Sequence, residues 1–110
     1  MRFSFQVFKK KAPEYDITIF QTPDIGEKKG YEPVYQTELD GRSHREVLDT
    51  VFSKFNVLDT VPSDYKARFI RTGDIVLISE NKKKETYYKL SSMGWRKITI
   101  PNLPMSAISC

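Results

Sequence analysis

Few side chains in this sequence have the types and spacing that catalysis requires. Nucleophilic catalysis pairs a serine or cysteine with a histidine, and the only histidine, His44, falls at the start of a predicted helix, where we expect it to stack at the helix rim. The only cysteine is Cys110, the last residue. Because zinc sites need several histidine or cysteine ligands, the sequence predicts no metal site. The scattered glycines form no phosphate-binding loop, so we expect no cofactor and no enzyme activity.

Three carboxylates remain as candidates for acid–base chemistry: Asp59, Asp64 and Asp74. Each is next to a turn or cap position, where aspartate accepts hydrogen bonds from backbone N–H groups. We therefore interpret them as structural residues. In an alternative role, Asp64 or Asp74 orients Arg68 or Arg71. A pocket that held two of the three aspartates would favour an enzyme instead.

Recognition of a partner is the chemistry indicated by the alternating basic and aromatic residues at positions 65–71. Tyrosine, tryptophan and arginine carry much of the binding energy at protein interfaces. The same residue types stack on nucleic-acid bases and pair with phosphates. A third interpretation is a strand with buried Phe69 and Ile70 and solvated cations. The candidate partner-binding residues are Tyr65, Lys66, Arg68, Arg71 and Trp95.

Composition favours a single small domain. The chain has 110 residues, of which 39% are hydrophobic and 13% aromatic, as in globular proteins. Its net charge of +4 favours acidic partners, but the basic residues are spread along the chain rather than concentrated as in duplex-binding modules.

The apolar runs are too short to span a membrane, and the first residues lack the apolar core of a signal peptide. One cysteine fits a reducing compartment, so we expect a cytoplasmic protein without membrane insertion.

Hydrophobic periodicity predicts an α+β fold, in which one amphipathic helix packs on a mainly antiparallel, curved sheet of five to six strands. The predicted strands are residues 2–8, 15–21, 33–39, 75–78, 86–90 and 95–100, with a short strand or extended loop at 67–70. Four successive apolar residues, 75–78, are typical of a central strand covered on both faces.

The helix is predicted over residues 43–55. Ser43 and Glu46 have the spacing of a capping box, while Asn56 is a suitable C-terminal cap and Pro62 prevents any continuation. The apolar residues that follow at helical spacing are Val47, Leu48, Val51, Phe52 and Phe55.

We assign residues 1–100 to the domain and 101–110 to a C-terminal extension that we expect to be flexible.

Several short stretches carry a family resemblance through their order and spacing. They are YDITIFQT (15–22), KGY (29–31), VY (34–35), FNV (55–57), PSDY (62–65), TGDIV (72–76), YY (87–88) and GWRKI (94–98). Together these stretches resemble the YodL-like family of small bacterial proteins, over about residues 8–98.

The resemblance implies a small non-enzymatic protein of spore-forming bacteria or their mobile elements. It further implies a protein-binding modulator that interferes with the actin-like MreB cell-elongation machinery during sporulation. It supplies no catalytic residues and no contact residues. The alternative hypothesis is a nucleic-acid-binding accessory protein of a phage or mobile element, which the net charge and the basic-aromatic segment motivate.

Overall fold

Five antiparallel strands and one helix make up the part of the chain that the structure describes. The computed structural model describes residues 14–27, 29–81 and 83–99. In chain order the elements are β1 (Glu14–Gln21), β2 (Glu32–Asp40), α1 (His44–Phe55), β3 (Ile75–Glu80), β4 (Lys84–Ser91) and β5 (Gly94–Ile98). The strand order in the sheet is β2-β1-β3-β4-β5. The predicted α+β class is confirmed, whereas the strand predicted at 2–8 and the extension at 101–110 lie outside the described residues.

The main core lies between the helix and one face of the sheet. Ile17 and Ile19 of β1 stand opposite Ile78 and Val76 of β3, and all four side chains are buried. The helix residues that belong to the same core are Val47, Leu48, Val51 and Phe55. Their positions confirm the amphipathic pattern of the helix, because one stripe of its surface faces the sheet.

The opposite face of the sheet is also apolar at its centre. Phe20 stands opposite Ile75, and Leu77 stands opposite Tyr87. These four side chains are buried as well. Strand β3 is therefore central and covered on both faces, as its run of apolar residues predicted.

The helix begins with the predicted cap, in a modified form. The Ser43 Oγ accepts a hydrogen bond from the Glu46 N–H at 3.2 Å. The Glu46 carboxylate accepts from the Arg42 N–H at 2.8 Å rather than from that of Ser43, so it serves the residue before the cap. The helix has 12 residues, and no helix in the described ranges is long and apolar enough to cross a membrane.

One helix residue differs from its predicted role. Phe52 was predicted on the apolar face, yet its side chain is 43% exposed. At 100° per residue it is the last position of the apolar arc. It therefore lies at the border of the core, next to the β4–β5 hairpin.

The connection between α1 and β3, residues 56–74, contains no strand. Residues 67–70 form an extended loop, which is one of the two predicted alternatives. The Ile70 N–H donates to the Phe55 carbonyl at 2.9 Å, so the loop is fastened to the end of the helix. At the end of the connection the Gly73 N–H donates to the Leu90 carbonyl at 2.8 Å, and Gly73 has a φ of +101° that favours glycine.

We expect Ser43→Ala to lower the free energy of unfolding by about 1 kcal/mol, because the Glu46 N–H loses its acceptor. Ser53→Ala is the matched control: this exposed serine lies inside the helix, where alanine is the better helix former. Urea unfolding followed by circular dichroism measures both variants. Equal effects of the two substitutions would contradict the capping role.

Candidate functional site

A buried polar network joins the 56–74 connection to the end of β1. The Gln21 amide donates to the Asp74 carboxylate at 2.9 Å and to the Arg68 carbonyl at 3.0 Å. The Tyr65 hydroxyl donates to the same carbonyl. The Arg68 guanidinium donates to the Thr22 carbonyl at 2.8 Å and lies 3.9 Å from the Asp74 carboxylate. These hydrogen bonds fasten the connection to the end of β1, although the buried Nε of Arg68 has no hydrogen-bond partner among the described residues.

Burial dominates the electrostatics of this network. Asp74 is 3% exposed, and its desolvation raises the pKa of the carboxyl group, although hydrogen bonds from Gln21 and Arg71 and the charge of Arg68 act in the opposite direction. Burial also raises the pKa of Tyr65 to about 12, with the Asp74 charge acting in the same direction. The tyrosine therefore stays protonated at neutral pH and serves as a hydrogen-bond donor.

The three candidate aspartates do not converge on one pocket. Asp74 is buried in the network, Asp64 accepts a hydrogen bond from the Tyr35 hydroxyl at 2.7 Å, and Asp59 is exposed in a turn after the helix. The described residues contain no group of three or more histidine, cysteine, aspartate or glutamate side chains placed to hold a metal ion. Asp74 accepts a hydrogen bond from the Arg71 N–H at 3.0 Å, as its turn position predicted, whereas the hydrogen bond to Asp64 comes from a side chain.

His44 joins the start of the helix to the sheet. Its Nε2 lies 2.5 Å from the Glu80 carboxylate, and its Nδ1 lies 2.8 Å from the Tyr88 hydroxyl. The Tyr15 ring meets the imidazole edge-on at a centroid distance of 5.5 Å. These contacts agree with the expected stacked histidine at the helix rim.

A groove of about 750 Å³ lies between α1 and the β4–β5 hairpin. This volume is in the range of ligand-binding clefts. The helix contributes Asp49 and Phe52; the connection contributes Asn56, Ile70, Arg71 and Thr72; the hairpin contributes Leu90, Ser91, Ser92, Gly94 and Trp95. Buried Ile70 and Leu90 form an apolar floor, while exposed Phe52 and half-buried Trp95 lie on opposite sides.

The structure separates the five residues that the sequence proposed for partner binding. Arg71 and Trp95 come together at the groove. Tyr65 is 7% exposed, and both Tyr65 and Arg68 belong to the buried network. Lys66 is exposed but does not line the groove. The candidate surface is therefore centred on Arg71 and Trp95 rather than on the basic-aromatic segment as a whole.

Sequence reasoning assigned Phe52 to the core and so missed its place in the groove. Its position at the end of the apolar arc, followed by exposed Ser53, was the available signal. A side chain at the border of such an arc is shared between the core and whatever surface adjoins it. The placement of the β4–β5 hairpin beside the helix, which completes the groove, has no local signal in the sequence.

The comparisons with known proteins agree with the resemblance seen in the sequence. A family model described as the YodL-like domain matches residues 8–100. A Bacillus subtilis (strain 168) protein, named uncharacterized protein YodL, is 64% identical over 92 residues, which are 84% of this chain and 88% of that protein. No solved structure matches the chain. The family match includes the helix, all five strands and every residue that lines the groove.

Replacement of Asp74 by asparagine tests the burial of its carboxylate. Because the pKa of Asp74 is raised in the folded chain, ionisation of this group weakens folding as the pH rises through that pKa. The free energy of unfolding of Asp74→Asn, taken relative to that of the parent, should therefore increase from about pH 4 to about pH 7. Urea unfolding at both pH values measures the difference, with Asp59→Asn as the control for loss of one charge. A difference that is constant or moves the other way would contradict this account.

Proposed function

Because the chain belongs to the YodL-like family, we propose that it is a cytoplasmic, non-enzymatic protein-binding modulator of the MreB cell-elongation machinery during sporulation. The resemblance to the family is what supports MreB as the target. The groove between α1 and the hairpin is the surface that we propose for the partner. The observation that carries this proposal is the placement of two accessible aromatic side chains, Phe52 and Trp95, on opposite sides of an apolar floor.

The chemistry of the groove suits a protein partner. Aromatic side chains and arginine supply most of the energy at protein interfaces when a partner excludes water from them, and Arg71 lines the same groove as Trp95. Ile70 and Leu90 provide apolar surface beneath them. The proposed mechanism is occupancy: the protein blocks or alters a surface of its target, and no covalent bond is made or broken.

The alternative of nucleic-acid binding has less support from the placement of its candidate residues. Tyr65 is buried and the Arg68 guanidinium donates to a backbone carbonyl of the same chain. Neither is presented as a stacking platform or as a phosphate contact. Nucleic-acid binding predicts an affinity that falls steeply with salt; absence of binding to RNA or DNA at low salt would remove this alternative.

Expression of the parent chain during growth should round or widen rod-shaped cells, and Phe52→Ala combined with Trp95→Ala should abolish that effect because the partner loses both aromatic contacts. Each truncation of such a residue typically costs about 1–2 kcal/mol or more of binding. Microscopy at matched protein levels measures cell shape, and binding to purified MreB is measured in parallel.

Leu58→Ala is the matched control for this experiment. Leu58 is an apolar residue that is 76% exposed and lies outside the groove lining, so its replacement should leave the effect on cell shape intact. Circular dichroism verifies that each variant is folded. Normal rods at high expression of the parent chain, or equal activity of the parent and the double variant, would contradict the proposal.

A further inference from the structure

The outer edge of β5 presents backbone hydrogen-bonding groups at the groove. Leu90 stands opposite Trp95, yet the Leu90 N–H donates to the Asp74 carbonyl at 2.9 Å and its carbonyl accepts from Gly73 at 2.8 Å. Both groups therefore point away from β5. Because hydrogen-bonded and non-hydrogen-bonded pairs alternate along antiparallel strands, the N–H and carbonyl of Trp95 point outward from the sheet, and so do those of Lys97.

The residues with outward backbone groups also direct their side chains to the face that carries the helix. Trp95 lines the groove, and Lys97 stands opposite Tyr88, whose hydroxyl contacts His44 at the start of the helix. Within the described residues no strand pairs with the outer edge of β5. A strand added there would lie about 4.8 Å from β5, with every second side chain on the face of the sheet that carries Trp95.

The rim of the groove carries more positive than negative charge. Arg71 lines the groove, and Lys97 is exposed on the same side of the sheet as Trp95. Exposed Arg45 shares a helix face with Asp49, which is four residues further along. Asp49 is the only carboxylate among the described residues that line the groove. Arg45 and Lys97 lie beside the groove rather than in its lining, and Glu80 lies at the same end of the helix, where it contacts His44. Three cations against two carboxylates complement an acidic partner.

We propose that the partner presents an extended acidic segment, which adds to the outer edge of β5 as a further strand and places an apolar side chain in the groove against Trp95. The inference rests on the proposed protein-binding function and specifies the form of the partner. Main-chain hydrogen bonds to Trp95 and Lys97 supply affinity, and the groove supplies specificity for alternate side chains. An acidic residue beside the apolar one pairs with the cations of the rim.

Selection of a library of random nine-residue peptides on the purified full chain tests this proposal. The enriched peptides should carry an excess of aspartate and glutamate and should have apolar residues at two-residue spacing. Lys97→Glu removes a cation of the rim, and Lys97→Pro removes one outward N–H while remaining compatible with an edge strand. Each substitution should weaken binding of an enriched peptide by about tenfold or more.

Lys83→Glu is the control, because this exposed residue belongs to the β3–β4 turn and lies outside the groove lining. It makes the same change of charge as Lys97→Glu and should leave binding unchanged. Circular dichroism verifies the fold of Lys97→Pro, and Lys97→Glu keeps the test decisive if the proline variant does not fold.

Enrichment of basic or uncharged peptides, or no enrichment at all, would overturn the proposal. Binding that survives Lys97→Pro would also overturn strand addition, even where Trp95→Ala abolishes binding. If purified MreB binds at the groove but no acidic peptide is enriched, the proposed function is retained and strand addition is wrong. If acidic peptides bind as described but MreB does not, the groove is retained as a binding surface and MreB is the wrong target.

Discussion

The hydrogen bond from the Gln21 amide to the buried Asp74 carboxylate fixes the arrangement on which the rest of the molecule depends. At 2.9 Å it joins the end of β1 to the residue before β3. The same carboxylate accepts from the Arg71 N–H at 3.0 Å, so the residue that borders the groove is held by the network beneath it. Gln21 also donates to the Arg68 carbonyl, so replacement of either Gln21 or Asp74 removes two hydrogen bonds of the network, at a cost of about 0.5–1.5 kcal/mol for each. The position of Arg71 at the groove therefore depends on a buried structural network.

The groove follows from the size of a single helix. A helix of 12 residues is about 18 Å long and about 10 Å wide with its side chains, whereas five strands at about 4.8 Å spacing form a wider surface. The helix shares its core chiefly with β1 and β3, and the β4–β5 side is left to form the groove floor. Phe52, at the border of the two regions, serves both. The groove floor and the core are thus parts of one continuous apolar layer.

The sequence predicted the regular elements well, because each has a local signal. The helix follows from its cap at Ser43 and its apolar spacing, and β3 follows from its apolar run. The connection before β3 has no comparable signal. The guanidinium of Arg68 meets the carbonyl of Thr22, 46 residues earlier in the chain, and no periodicity predicts such a contact. For this reason a segment that looked like one exposed basic-aromatic surface is divided between buried Tyr65 and the groove residue Arg71.

The most direct test of the central claim, that the groove holds the partner, uses Trp95 as a probe because it is the only tryptophan in the chain. Labelling this chain with 5-fluorotryptophan places one fluorine at the groove, and fluorine NMR follows its resonance as unlabelled purified MreB is added. The account predicts that the resonance shifts or broadens in proportion to the bound fraction, and that Phe52→Ala reduces the response. Binding detected by size-exclusion chromatography, with the fluorine resonance unchanged, would contradict it.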